Sequence, residues 1–92
     1  MPWNGSNVPW NQASINHVPA ISGVYAIWRP GTFVYVGETN DLRHTLLEHF
    51  GGDNACITQS RPTSFGYEAH PEGSRVDRQN ELIAELRPTC DS

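Results

Sequence analysis

Two short apolar segments on either side of a Pro-Gly pair limit most strongly what this chain can fold into. Residues 23–28 and 33–37 are rich in β-branched and aromatic side chains, which favour strands. The connection between them contains Pro30 and Gly31, which are typical of tight turns. Because so short a connection cannot cross over between parallel strands, we predict an antiparallel hairpin.

A helix is predicted directly after this hairpin, over residues 42–50. Its apolar side chains recur three and four positions apart, which is typical of an amphipathic helix. Thr39 or Asn40 is expected to cap its start, with Asp41 in the first turn, where an acidic residue is favourable. A glycine pair follows and predicts the end of the helix.

The later part of the chain predicts one more strand and one more long helix. Residues 63–70 alternate weakly between apolar and polar, and a short helical turn is expected near Ile57. The last helix is predicted over residues 75–86, with Ser74 and Asp77 forming a variant capping box. Together these elements predict an α+β fold, in which helices flank a small three-stranded antiparallel sheet.

The N-terminal segment has no sustained hydrophobic period. We therefore predict an irregular arm over residues 1–17 and a folded domain over residues 18–92. Trp3 and Trp10 are expected to pack on the domain, because large aromatic side chains supply much of the buried area of a small protein. Stacking of these tryptophans on nucleic-acid bases is the alternative.

The charge of the chain bears on its partners. Its 92 residues form one small domain with a net charge of −4, and every basic residue other than histidine is arginine. A negative net charge repels nucleic acid at long range, which lowers the expectation of tight non-specific DNA binding. A local arginine cluster can outweigh this mean, because arginine is a good bidentate ligand for phosphate.

The sequence also predicts a location. No apolar segment approaches the roughly 20 residues of a membrane span, so no membrane partner is expected. The first residues lack the basic and apolar regions of a secretory signal. Cys56 and Cys90 are too few for a disulfide framework and lack metal-ligand spacing. We therefore predict a cytoplasmic protein with reduced cysteines.

One polar side chain lies on the apolar face of the last predicted helix. Gln79 precedes Leu82 by three positions and Ile83 by four, so it is expected to point inward with them. A buried amide needs hydrogen-bond partners. Gln79 is therefore either a satisfied core amide or part of a functional site.

At this point the motifs resemble a known family. The segments Gly23-Val24-Tyr25 and Tyr35-Val36-Gly37 resemble the paired motif of the GIY-YIG nuclease superfamily. Residues 41–50 and 81–91 are similar to the helices of its small single-domain members, so the resemblance covers about residues 18–91. It implies a three-stranded antiparallel sheet and hydrolysis of phosphodiesters with one divalent metal, Mg²⁺ or Mn²⁺.

The resemblance also implies roles for individual residues. Tyr25 and Tyr35 correspond to the active-site tyrosines, one of which activates or positions the attacking water. His49 corresponds to a histidine or tyrosine that assists. A tyrosine acts as a base only if a nearby cation or metal lowers its pKa of about 10.

The chain departs from the family pattern at two positions. Thr45 stands where the family carries its catalytic arginine, and Gln79 stands where it carries the metal-binding glutamate. Loss of one preorganised charge donor typically costs about 10²–10³ in rate, and Mg²⁺ prefers charged oxygen ligands. Glu38, directly after the second motif, is either a carboxylate that substitutes at the metal or a solvated loop charge near a helix N-terminus.

These observations leave three hypotheses for function. The first is a catalytically impaired domain that binds a protein or nucleic acid, with DNA expected more than RNA and with Arg43, Arg61 and Arg78 as the nucleic-acid-binding residues. The second is an active magnesium-dependent DNA endonuclease, or one inactivated by engineering. The third is a protein-interaction module that forms a homo-oligomer.

Overall fold

The computed structural model describes residues 6–90. Within this range the four strands form one antiparallel sheet in the order β1-β4-β2-β3. None of the helices in this range combines the length and the apolar character that crossing a bilayer requires. The elements in chain order are β1 Val8–Pro9, α1 Gln12–Asn16, β2 Gly23–Arg29, β3 Thr32–Thr39, α2 Leu42–Phe50, α3 Ala55–Ser60, β4 Ser64–Ala69 and α4 Glu72–Leu86.

The predicted hairpin is confirmed and forms the centre of the fold. Strands β2 and β3 pair antiparallel, with Tyr25 opposite Gly37 and Ile27 opposite Tyr35. Gly31 adopts a φ of 80° in the connecting turn, a conformation that glycine reaches without strain. A register shift after Ile27 leaves one extra residue in β3, a β-bulge that bends the strand beyond the tyrosines.

The sheet carries helices on both faces. On one face α1, α2 and α3 bury apolar side chains against the strands, including Ile15, Leu46 and Ile57. On the other face α4 packs Leu82 against a smaller cluster that includes Val24. Helix α2 over residues 42–50 and the helical turn at Ile57 therefore form as predicted.

The predicted number of strands is wrong, because the sheet has a fourth strand. Val8 pairs with Phe65 at the free edge of β4, and the short helix α1 follows. Both elements lie in the segment predicted to be irregular, and they are too short to show a hydrophobic period. Trp10 packs edge-on against Phe50 and Phe65, as predicted for packing on the domain. Trp3 lies outside the described residues.

The predicted helix caps are also corrected. Asp41 caps α2 in place of Thr39 or Asn40, since its carboxylate accepts the His44 backbone N–H at 3.0 Å. Helix α4 begins three residues before the predicted start, after Pro71, without a side-chain cap. Ser74 therefore lies inside the first turn of α4, and the predicted capping box does not form.

The two cysteines form a disulfide, so the prediction that they stay reduced is wrong. Cys56 lies on α3, and Cys90 lies in the segment after α4, where its backbone N–H donates to the Val34 carbonyl. Only the packing of this segment along β3 brings the two thiols together, because they are 34 residues apart in sequence. The cytoplasmic location loses the support of reduced cysteines and stays a prediction.

Candidate functional site

The structure brings three predicted site residues together on the α2 face of the sheet. Tyr25 on β2 and Tyr35 on β3 point to this face, with ring centroids 6.0 Å apart. His49 comes from the last turn of α2, and its ring lies 5.6 Å from Tyr25 and 5.2 Å from Tyr35. Tyr25 and His49 are buried, whereas Tyr35 is half-buried. Tyr35 is therefore the tyrosine through which this ring cluster meets solvent.

Both motif glycines are required because neighbouring atoms lie too close to them to leave room for a Cβ. A Cβ on Gly37 would lie 2.4 Å from the Tyr25 hydroxyl oxygen and 2.6 Å from the carbon that bears it. A Cβ on Gly23 would lie 2.3 Å from the Glu68 backbone oxygen on the neighbouring strand. Each motif therefore pairs a tyrosine with a glycine because the ring and the sheet leave no room for a side chain there.

A chain of hydrogen bonds runs from the buried Tyr25 to the surface. The Tyr25 hydroxyl lies 2.8 Å from His49 Nε2, and His49 Nδ1 lies 2.8 Å from Asp53 Oδ1. A carboxylate accepts hydrogen bonds and does not donate them, so the His49 proton belongs on Nδ1. Nε2 is then an acceptor, and Tyr25 donates its hydroxyl proton to it.

The pKa values of both tyrosines are raised, so each tyrosine ionises less readily. Burial raises the pKa of Tyr25 strongly, and the nearby Tyr35 and Asp53 raise it further by charge repulsion. Burial also raises the pKa of Tyr35, partly offset by its interaction with the Tyr25 hydroxyl. A tyrosine base needs the opposite shift, so Tyr25 is a neutral hydrogen-bond donor at neutral pH.

Thr45 occupies the expected arginine position without supplying a charge. Its hydroxyl lies 2.7 Å from the Thr39 hydroxyl, which also accepts the Asp41 backbone N–H at 3.1 Å. This network ties the end of β3 to the start of α2. The side chain of Thr45 is therefore neutral and already bonded within the fold.

The residues predicted to hold a metal do not fit a divalent cation. Gln79 is half-buried on α4 and offers only a neutral amide. The Glu38 carboxylate accepts from Arg75 Nε at 2.6 Å, and Arg75 also donates to Ser22 Oγ. Across residues 6–90 no three His, Cys, Asp or Glu side chains group in a way that could hold a metal ion. Glu38 is thus neutralised by an arginine and not poised for Mg²⁺.

Comparison with known proteins identifies the fold. No protein-family model matches the chain, and the search of curated proteins found no match to its sequence. The GIY-YIG N-terminal endonuclease domain of UvrC from Thermotoga maritima, in its magnesium-bound structure, superposes with a TM-score of 0.73 at 20% identity. The match covers 84% of this chain and 90% of that domain. The chain has the GIY-YIG fold.

Two further structures of the same domain, both point mutants bound to the catalytic divalent cation, agree with this assignment. Each has a TM-score of 0.73 and 20% identity, and covers 84% of this chain and 89% of the other. The resemblance predicted from the paired motif is therefore confirmed for the fold. In this GIY-YIG fold the two motif tyrosines lie side by side on adjacent strands.

The structure separates the three arginines predicted to bind nucleic acid. Arg78 is buried, and its Nε and Nη2 donate to the two carboxylate oxygens of Glu68, each at 2.9 Å; Glu81 also bonds to it. These hydrogen bonds raise the pKa of Arg78. Arg78 is therefore occupied inside the fold, which argues against a role in nucleic-acid binding. Arg43 and Arg61 are exposed, although Arg43 Nε donates to the Val18 carbonyl at 2.7 Å.

Two residues of the site were not predicted from the sequence. Asp53 holds the outer nitrogen of His49, and Thr39 holds Thr45. The Asp53 contact had a local signal, since Asp53 follows His49 by four positions, which places the two on one side of a helix end. The contact between Thr39 and Thr45 had no local sequence signal, because it joins the end of a strand to the following helix.

Proposed function

We propose that this chain is a GIY-YIG-fold domain that binds nucleic acid without hydrolysing it. The structural neighbours are endonuclease domains, which supports nucleic acid as the partner. The ring cluster of Tyr25, Tyr35 and His49 and the two motif glycines give the site the packed architecture that the paired motif implies. The charged groups that hydrolysis requires are missing from this architecture.

The hydrogen bond between Thr39 and Thr45 is the observation that carries this proposal. A phosphodiester in the transition state develops negative charge, which an arginine at this position would stabilise. Here two hydroxyls satisfy each other, and the threonine carries no positive charge. Loss of one such preorganised donor typically lowers the rate by about 10²–10³.

The polar residues around the expected metal position also argue against hydrolysis. Gln79 supplies a neutral oxygen, and the Glu38 carboxylate is held by Arg75. Hard cations such as Mg²⁺ require anionic oxygen for tight binding. Without a cation to lower its pKa, the buried Tyr25 keeps its proton and serves as a donor to His49. The hydrogen bonds that join Tyr25, His49 and Asp53 would then hold the shape of the site and would move no proton to a leaving group.

Two measurements on the same protein test this proposal. Supercoiled plasmid is incubated with the purified protein and Mg²⁺ or Mn²⁺, and binding of labelled DNA is followed in parallel at low salt. We expect binding without nicking. Nicking that disappears in Tyr35→Phe would refute the proposal and favour an active endonuclease. A stable homo-oligomer that binds no nucleic acid would favour an interaction module instead.

Restoring the missing charges tests why hydrolysis is absent. Thr45→Arg combined with Gln79→Glu is expected to produce metal-dependent nicking at least about 10²-fold above the unaltered chain. Thr45→Gln combined with Gln79→Glu is the matched control, because it gives a long side chain without positive charge. Equal activity in the two double variants would show that the absent arginine charge is not what prevents hydrolysis.

A further inference from the structure

The six arginines divide into two groups of three by the partners of their guanidinium groups. In the first group the guanidinium bonds to a carboxylate or a backbone carbonyl; this group comprises Arg43, Arg75 and Arg78. In the second group the side chain is exposed and has no hydrogen bond or ion pair to residues 6–90; this group comprises Arg29, Arg61 and Arg87.

The second group lies together at the hairpin end of the sheet. Arg29 is the last residue of β2, beside the turn. Arg61 and Arg87 each begin an Arg-Pro-Thr segment, and each segment docks on the hairpin through its threonine. The Thr63 N–H donates to the Trp28 carbonyl at 3.0 Å, and the Thr89 N–H donates to the Phe33 carbonyl at 3.0 Å.

The spacing of these segments suits a phosphate backbone. Trp28 and Phe33 face each other across the hairpin, so the two Arg-Pro-Thr segments flank β2 and β3 from opposite sides. Neighbouring strands lie about 4.8 Å apart, so the backbones of the two docked segments lie about 14 Å apart across β2 and β3. One strand of a duplex presents a phosphate roughly every 3.4 Å along its axis, so this length spans about four phosphates.

The backbone at two of these arginines gives an independent indication. Arg61 caps α3 with a φ of 52°, and Arg87 caps α4 with a φ of 49°. They are the two non-glycine residues with positive φ among residues 6–90. Glycine is the usual residue at such a helix end because it adopts this conformation without strain. Nothing within residues 6–90 bonds to either guanidinium, so the described packing does not explain why these positions carry arginine.

We infer that Arg29, Arg61 and Arg87 form a nucleic-acid phosphate-binding surface, the hairpin-end surface, separate from the ring cluster at Tyr25 and Tyr35. This inference rests on the proposed function, since it names where nucleic acid binds. Guanidinium groups bind phosphate oxygens in a bidentate manner, which neither histidine nor a backbone amide can match. The surface also explains how a chain of net charge −4 can bind a polyanion.

Fluorescence anisotropy with labelled DNA tests the hairpin-end surface. A single-stranded and a duplex DNA of the same sequence are titrated in EDTA, at salt concentrations from about 20 to 200 mM. The triple variant Arg29→Gln, Arg61→Gly, Arg87→Gly is expected to lose roughly tenfold in affinity per arginine at 50 mM salt. Its plot of log K against log salt should flatten by about 0.7–0.9 per arginine removed.

Arg43→Gln is the matched control, because it removes one exposed positive charge outside the hairpin-end surface. It should change affinity less than any single change at Arg29, Arg61 or Arg87. Arg61→Gly and Arg87→Gly should keep or raise the melting temperature, since glycine relieves the strained backbone. Weaker binding then reflects lost contacts and not unfolding.

The outcomes separate this inference from the proposed function. If the unaltered chain binds DNA and the triple variant binds equally well, the inference fails and the proposed function stands. A lower melting temperature in both glycine variants would overturn the inference as well, because the arginines would then be structural. If the unaltered chain binds no DNA at 20 mM salt, both fail.

Discussion

Gly37→Ala should destabilise the protein because of a single methyl group. The new Cβ would lie 2.4 Å from the Tyr25 hydroxyl oxygen and 2.6 Å from the ring carbon that bears it. Tyr25 is 2% exposed and packs between Tyr35 and His49, so its ring has no free space to move into. The ring must shift, and its hydrogen bond to His49 Nε2 must break.

The expected cost has two parts. Forcing an extra carbon into a packed core typically costs about 1–3 kcal/mol. Leaving the buried Tyr25 and His49 groups without their mutual hydrogen bond costs a further ~1–3 kcal/mol. The free energy of unfolding should therefore fall by about 2–6 kcal/mol. For a domain of this size each kcal/mol corresponds to roughly 4–8 °C in melting temperature.

Urea unfolding monitored by far-ultraviolet circular dichroism measures this change. Gly73→Ala is the matched control, because Gly73 lies in the first turn of α4 and a Cβ there meets no atom within 4 Å. Alanine is a better helix former than glycine, so this second change should stabilise by up to about 1 kcal/mol. The same chemical substitution is thus expected to have opposite signs at the two positions.

A fall of less than about 0.5 kcal/mol for Gly37→Ala would refute the reasoning, since such a change is typical of unconstrained surface sites. It would mean that the ring cluster can rearrange freely. The role of the second motif glycine in holding Tyr25 against His49 would then be wrong.

Three further predictions follow from the site and the disulfide. Because burial raises the pKa of Tyr25, the folded chain retains a proton that the unfolded chain loses above about pH 10, so stability should fall by up to ~1.4 kcal/mol per pH unit above pH 10. Tyr25→Phe should reduce that slope in alkaline unfolding curves, and an unchanged slope would contradict the shift. Reducing the Cys56–Cys90 disulfide should lower the free energy of unfolding by about 2–4 kcal/mol, and Cys56→Ser with Cys90→Ser should remove the effect of the reductant. Nitrogen-15 NMR should show the His49 proton on Nδ1, facing Asp53, and a proton on Nε2 would contradict the proposed direction of the hydrogen bonds.

The local parts of the fold could be predicted because their signals lie within a few residues. Short-range turn chemistry predicted the hairpin, and a 3.6-residue period predicted α2. Strand β1 was not predicted, because two residues are too few to show a hydrophobic period and because its partner Phe65 is far along the chain. The start of α4 was missed because Pro71 begins the helix without a side-chain signal, while Ser74 resembled a cap.

The candidate site was only half predictable for the same reason. The paired motifs predicted Tyr25, Tyr35 and His49, and the structure brings these three rings together. Pairing among charged groups was not predictable, because it joins distant elements. Glu38 meets Arg75 across 37 residues, which turns an expected metal ligand into an ion pair.

The sequence alone determined that a tyrosine–glycine hairpin and an amphipathic helix would form, and that the expected arginine and glutamate charges are absent at Thr45 and Gln79. These properties depend on residue type and short spacing. Only the tertiary structure decided that two cysteines join, that Arg78 is buried against Glu68, and that three arginines remain exposed at one end of the sheet. Such outcomes depend on which distant segments pack together, because burial and charge pairing are decided by neighbours in space and not in sequence.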